Sequence, residues 1–139
     1  MFMQQQCSVF RSVFLGLTLA VSTIALAHKP PVEVPATPSR FAAETPLIAV
    51  TMAGKRIVAV GLRGHIVYSD DEGKSWTQAQ VPVSSDLVAV SFPDEKNGWA
   101  TGHGGVVLHS ADGGKTWQKQ LDGKTSADIT LKYYASMTG

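Results

Sequence analysis

Cysteine is almost missing from this chain: Cys7 is the only one in 139 residues. A single thiol closes no internal disulfide and completes no paired-cysteine metal or redox motif. Charge of one sign is missing too. Twelve basic side chains stand against eleven acidic ones, a formal net charge of +1, which offers no general attraction for nucleic acid or an anionic membrane surface. The one long apolar run, Val13 to Leu26, is short for crossing a bilayer, which takes about 20 residues. What remains is the composition of a folded protein, 44% apolar and 17% charged. Thirteen glycines and three tryptophans suit an all-β repeat better than a helical bundle.

Residues 1–27 read as a targeting segment. Arg11 supplies a positive start, Val13 to Leu26 the apolar stretch, and Ala25-Leu26-Ala27 a small-residue cleavage signal. The competing reading is a membrane anchor. A lipoprotein would need a cysteine just after the apolar run, and Cys7 precedes it. Cleavage near Ala27 implies an exported protein, periplasmic or secreted. Loss of Arg11 leaves basic and acidic side chains equal in number. Residues 28–46 hold five of the seven prolines, Pro30, Pro31, Pro35, Pro38 and Pro46, which forbids a central strand or a helix. The expectation is an extended, polyproline-like leader, docked on the domain through Phe41.

The rest of the chain is organised by an octet that occurs twice. Ser69-Asp70-Asp71-Glu72-Gly73-Lys74-Ser75-Trp76 is repeated at Ser110-Ala111-Asp112-Gly113-Gly114-Lys115-Thr116-Trp117. Each copy follows a β-type run, Ile66-Val67-Tyr68 or Val106-Val107-Leu108. In Ser-x-Asp-x-Gly-x-Ser/Thr-Trp, the aspartate can accept from backbone N–H groups a few residues on, which sets a turn. The glycine supplies a positive φ, the Ser or Thr bonds back across the loop, and the Trp covers the hairpin. Ser69, Asp71, Gly73, Ser75 and Trp76, and equally Ser110, Asp112, Gly114, Thr116 and Trp117, are therefore expected to be structural. The two aspartates are satisfied by backbone rather than free for catalysis.

This octet resembles the Asp-box, or bacterial neuraminidase repeat, which in that family joins the third and fourth strands of a β-propeller blade. Leu87 to Phe92, Asn97 to Gly102 and Gly105 to Ser110 narrow the resemblance to the photosystem II stability/assembly factor-like propellers. It covers residues 47 to about 121. The fold class expected is all-β: two four-stranded antiparallel blades of a partial propeller, with a short C-terminal helix. Blade 1 occupies 47–82. Its strands are expected over Ile48–Met52, Arg56–Gly61, His65–Ser69 and Thr77–Val81. Blade 2 occupies 83–122 and carries one extra residue in the Pro93–Asn97 turn. Residues 123–139 form a helical tail or the start of an insertion. Thr125-Ser126-Ala127-Asp128 is read there as a capping box, with Ile129, Tyr133 and Met137 on one face.

A propeller closes with about four to eight blades, and repeat folds generally need three or more units. Two blades leave three explanations open: a fragment of a longer propeller, assembly from several copies through exposed blade edges, or two sheets packed alone.

Other chemistry is weak. Gly73-Lys74-Ser75 and Gly114-Lys115-Thr116 mimic the end of a phosphate-binding loop, but Tyr68 and His109 stand where its first glycine belongs, so no nucleotide is expected. A calcium loop starting at Asp71 would place Pro82 where its last carboxylate must be. His65, His103 and His109 lack metal-type spacing, so neither metal nor cofactor is expected. A sialidase-type site needs an arginine cluster, a Tyr–Glu pair and an acid Asp. Arg40, Arg56 and Arg63 with Tyr68 and Glu72 do not assemble one, and no catalytic triad is visible. The resemblance implies a non-enzymatic scaffold that binds a protein partner in a membrane complex. Arg63, His65 and His103, polar and in or beside inter-strand turns, are the candidate partner contacts. The alternatives are a sialidase-like carbohydrate-active propeller and a remnant without a stable fold.

Overall fold

The computed structural model describes residues 28–137; the targeting segment expected over 1–27 lies outside them. Short runs of Val, Ile, Ala and Thr broken by glycine turns form eight strands, β1 Leu47–Ala53, β2 Arg56–Gly61, β3 Ile66–Ser69, β4 Thr77–Gln78, β5 Leu87–Ser91, β6 Gly98–Gly102, β7 Val106–Ser110 and β8 Gln118–Leu121. They pair antiparallel in two sheets, ordered β1-β2-β3-β4 and β5-β6-β7-β8. Each sheet is an up-and-down meander, the form of a propeller blade. Both carry the same irregularity in their first pair, at Leu47/Ala49 and at Leu87/Ala89. The β2–β3 and β6–β7 connections are matching 3-10 turns, Leu62–Gly64 and His103–Gly105. In each, the middle residue has positive φ: Arg63 at 56° and Gly104 at 74°.

The two blades pack face on face, and the core lies in the joint. Val58, Val60 and Ile66 of blade 1 meet Leu87, Ala100, Leu108 and Trp117 of blade 2, all buried. Phe92 meets the Trp117 ring edge-on at 5.8 Å. The fourth strand of blade 1 was expected to run to Val81 but pairs with β3 only through Thr77–Gln78. Beyond that point the chain turns to the other blade. The Gln80 N–H donates to the Lys115 carbonyl and the Trp117 N–H donates to the Gln80 carbonyl, both at 3.0 Å. The backbone of residue 80 thus ties blade 1 to the second octet.

The leader departs from a plain polyproline strap. It contains two 3-10 turns, Pro31–Glu33 and Ala42–Glu44, and spans both blades. Ser84 N–H donates to Pro31 O at 2.9 Å, Ala36 N–H to Val81 O at 3.0 Å, Ser39 N–H to the Gln78 side chain at 2.7 Å and Lys119 Nζ to Val32 O at 2.8 Å. Phe41 does not dock. It precedes the second turn with its ring outward, 48% exposed, under the Arg40 guanidinium. Ala42 docks instead, buried against Ala59 and Val67 on the far side of blade 1.

The tail is the helix α1, Gly123–Met137. Its start differs from the expected capping box. Asp122 caps it, accepting from Thr125 N–H at 2.8 Å, while its other oxygen takes Lys119 Nζ at 2.6 Å. Asp122 is buried beside this cation, so the helix begins two residues before Thr125. Ile129, Tyr133 and Met137 do share a face, but no helix residue is buried.

The joint generates a stability contrast between two tryptophans at matching positions. Trp117 is 4% exposed and Trp76 36%. Trp117→Ala should cost about 3–5 kcal/mol in urea unfolding, as large-to-small core changes do, and Trp76→Ala less than about 1 kcal/mol. Equal losses would mean that the joint does not hold the fold.

Candidate functional site

The serine, aspartate and hydroxyl positions of the two octets make the same hydrogen bonds. In the first, Ser69 Oγ donates to Asp71 Oδ1 at 2.8 Å and accepts from Gly73 N–H at 2.8 Å. Asp71 takes the Ser75 N–H on Oδ1 at 2.8 Å and the Ser75 hydroxyl on Oδ2 at 2.6 Å. In the second, Ser110 and Asp112 do the same for Gly114 N–H and for the N–H and hydroxyl of Thr116, at 2.6–3.0 Å. Gly73 and Gly114 sit at φ 87° and 86°, where a side chain would be strained. Trp117 closes its loop by donating Nε1–H to Gly114 O at 3.0 Å.

These bonds favour the charged carboxylate. The Ser75 hydroxyl, the Ser75 N–H and the Ser69 hydroxyl lower Asp71 to about 2. At Asp112, burial is the largest influence and opposes charge, but the donors from Thr116, Ser110 and Lys115 together outweigh it and the pKa is lowered. A carboxylate held this way is a turn former, not a proton-transfer group.

Arg56, in the sequence only one of three arginines too few for a sialidase-type cluster, takes a structural position at the joint. Its Nε and Nη2 make a two-pronged pair with Asp70 at 2.6 and 2.8 Å, and its Nη1 donates to Gly113 O at 3.0 Å. The guanidinium also lies 4.6 Å over the Tyr68 ring. The Asp70 hydrogen bond raises the Arg56 pKa and lowers that of Asp70. Arg56 therefore pins blade 1 to the second octet.

At the opposite end of the strands, the three candidate contact residues fare differently. His65 is 5% exposed, with Nδ1 3.2 Å from Thr45 Oγ1. The sequence placed it beside a turn. Burial under the leader makes it a support residue and leaves it little surface for a partner. Arg63 and His103 are exposed and are brought together by a residue that the sequence reading missed, Asp86 in the inter-blade linker. Asp86 Oδ1 accepts from Arg63 N–H at 2.8 Å, and Oδ2 lies 4.0 Å from His103 Nδ1. The repeat could not reveal Asp86, because its mate in blade 1 is Pro46. Only the backbone role is shared: the Pro46 and Asp86 carbonyls accept from Leu62 and His103 N–H respectively.

Around this point lie two clefts that share Ser84. One of about 490 Å³ is lined by Pro30, Pro31, Val32, Asp86, His103 and Lys124 among others. The other, of about 460 Å³, runs past Thr37, Pro38, Ser39, Thr45 and Arg63. The leader separates them. Leader prolines line both, Val32 adds apolar surface to the first, and Arg63, Asp86, His103 and Lys124 supply charged and polar groups, the chemistry of a site for a polypeptide segment. Among the described residues, no group of three His, Cys, Asp or Glu side chains is placed to hold a metal.

Comparison with known proteins gives a consistent picture. The family described as photosynthesis system II assembly factor YCF48 matches residues 68–137, half of the chain. That match includes α1, which the sequence resemblance had left outside. The photosystem II stability/assembly factor HCF136 of Guillardia theta, a chloroplast protein, is 38% identical over 61 residues, 42% of this chain and 15% of that protein. The photosystem II assembly lipoprotein Ycf48 of Prochlorococcus marinus is 33% identical over 78 residues, 54% of this chain and 23% of its own. A solved structure of YCF48 bound to D1 peptide aligns with a TM-score of 0.49 at 21% identity, over 68% of this chain and 34% of that one. The chain thus spans about a third or less of the length of these proteins.

The octets set an acid limit. Because Asp71 and Asp112 have lowered pKa values in the folded chain, their contribution is complete above the unfolded carboxylate value of about 3.9. The Asp71 part is lost as the pH falls from there through about 2, and the Asp112 part as the pH falls through its own lowered pKa. Thermal melts from about pH 6 to about pH 2 should show this loss, and Asp71→Asn with Asp112→Asn should flatten it. At neutral pH, Asp112→Ala alone should cost about 1–2 kcal/mol, as losing a capping carboxylate does. An acid profile unchanged by the double substitution would contradict the assignment.

Proposed function

The chain belongs to the photosynthesis system II assembly factor YCF48 family, and we propose that it is an exported, non-enzymatic scaffold whose end groove holds a segment of a protein partner during assembly of an envelope or membrane complex. The observation that carries this reading is the paired cleft around Asp86, where the leader, the inter-blade linker and the start of α1 meet. Arg63 and His103 stand on it as partner contacts. Lys124 adds a second permanent cation to Arg63, so an extended partner segment bearing carboxylates fits best. The relatives named as assembly factors support a role in building a complex, without identifying the complex that this chain serves. The Arg11-led segment ending at Ala27 supports export, with processing before His28.

The carbohydrate-active alternative draws no support from the geometry. Arg56 is committed to Asp70 and Gly113, Arg40 lies over Phe41, and Arg63 is at the other end of the strands from the octets. Asp71 and Asp112 are saturated with hydrogen bonds.

A photo-crosslinking residue at His103, in the full chain expressed in its host, should give adducts with envelope proteins, while one at Lys55 should not. Arg63→Glu combined with Lys124→Glu should lower the yield about tenfold, equivalent to about 1.4 kcal/mol of binding. Equal adducts from both positions, or a yield indifferent to the charge reversal, would count against the groove.

A further inference from the structure

From His28 to Phe41 no leader residue is buried; Ala42 is the first that is. Val32 and Ala36 rest on the rim of the core, while Pro31, Glu33 and Pro35 are exposed. Backbone groups do most of the holding. The Pro31 carbonyl accepts from Ser84 N–H, the Val32 carbonyl from Lys119 Nζ, and the Thr37 carbonyl from Gln78 Nε2 at 3.1 Å. Two leader N–H groups donate in the other direction, Ala36 to the Val81 carbonyl and Ser39 to Gln78 Oε1. The one amide of Gln78 thus grips the leader on both sides of Pro38. Val32 sits against Gly104, where a Cβ would come within 2.7 Å of Val32 Cγ1. Proteins hold extended partner segments in this manner, with main-chain hydrogen bonds for affinity and seats for alternate side chains for selectivity.

The seat is loose. Clefts of about 490, 350 and 460 Å³ flank the leader in turn, at Pro30 to Val32, at Pro35 and Ala36, and at Thr37 to Ser39. A segment with no buried side chain, bordered by open volume along its length, belongs to the part of a structure that opens without global unfolding. We propose that residues 30–39 are an internal ligand, which occupies the channel where the partner segment binds and is displaced by it. This rests on the end groove of the proposed function and says what that groove accepts. Lifting the leader joins the two clefts that it separates. Ser84 N–H, Lys119 Nζ and Gln78 Nε2 then offer hydrogens to the incoming chain, while Val81 O and Gln78 Oε1 accept. The segment that fits offers carbonyls and few N–H groups. It is extended and contains proline, with a valine-sized side chain for the seat at Gly104. Ala42, docked on Ala59 and Val67, keeps the displaced leader tethered. The leader is therefore a competitor present at one copy per site, and it sets the affinity that a partner must exceed.

A labelled synthetic peptide of residues 29–41 tests the exchange, read by fluorescence anisotropy on the purified full chain. Ala36→Pro with Ser39→Pro removes both leader N–H donors and leaves the receiving surface untouched. The peptide should bind this variant about tenfold more tightly than the unsubstituted chain, because the open state is more populated. A peptide carrying the same two prolines should bind the variant about tenfold more weakly than the natural one. Photo-adducts from His103 should rise with the double substitution. Equal peptide affinity for both chains, or no binding to either, would overturn the inference and leave the groove reading standing, since the leader would be a fixed part of the fold. Peptide exchange with adducts unchanged by the double substitution would overturn it too. Peptide exchange with no adducts from any chain would strike at the groove's role in assembly and not at the exchange itself. Should the double variant unfold, hydrogen exchange on the unsubstituted chain decides. The Ala36, Ser39 and Ser84 amides should exchange at least about a hundredfold faster than that of Trp117, and equal protection would overturn the inference.

Discussion

Everything in this structure depends on a carboxylate that captures the backbone just after it. In each octet one aspartate gathers the N–H and hydroxyl of the residue four positions on, and a serine behind it gathers the glycine N–H. That closes a turn which no run of apolar residues could specify, and it decides where the next residue, a tryptophan, must point. In blade 2 the tryptophan enters the joint, bonds back to its own loop and receives the edge of Phe92. Local hydrogen bonding at the surface thereby sets the packing of the core.

The second dependence is between blades. A single four-stranded meander has two faces to cover and little interior of its own. Here one face of each blade is buried against the other, and three polar ties hold the register: residue 80 to the second octet, Arg56 to Asp70 and Gly113, and Asp86 to the turn at Arg63. The leader adds a strap across both blades. The same linker that carries Asp86 also lines the clefts through Ser84 and Ser85, so residues that join the blades help to shape the candidate binding site.

Much of this was legible in the sequence because the repeat is strict where the chemistry is strict. Aspartate, glycine, hydroxyl and tryptophan recur at one spacing, and the strands between them follow from β-branched runs and glycine turns. What escaped was set by contacts distant in the chain. Gln80 lies past the end of the β3–β4 pairing, and its backbone makes two hydrogen bonds to the other octet. Ala42 docks on Ala59 and Val67 and Phe41 does not, because the leader turns just there. His65 reads as an exposed turn residue until the leader covers it. Asp122 caps α1 through a lysine pair that no local motif contains. Arg63 and His103 were found as turn residues, but their meeting at Asp86 depends on the docking of two blades.

The central claim, that the octet carboxylate acts on stability by placing the tryptophan in the joint, is tested most directly by a double-mutant cycle of Asp112→Ala and Trp117→Ala in urea unfolding. The account predicts strong coupling, with the pair costing less than the two single losses added by about 1 kcal/mol or more, within the range found for residues in one network. Losses that simply add would contradict it, because the turn and the joint would then be independent.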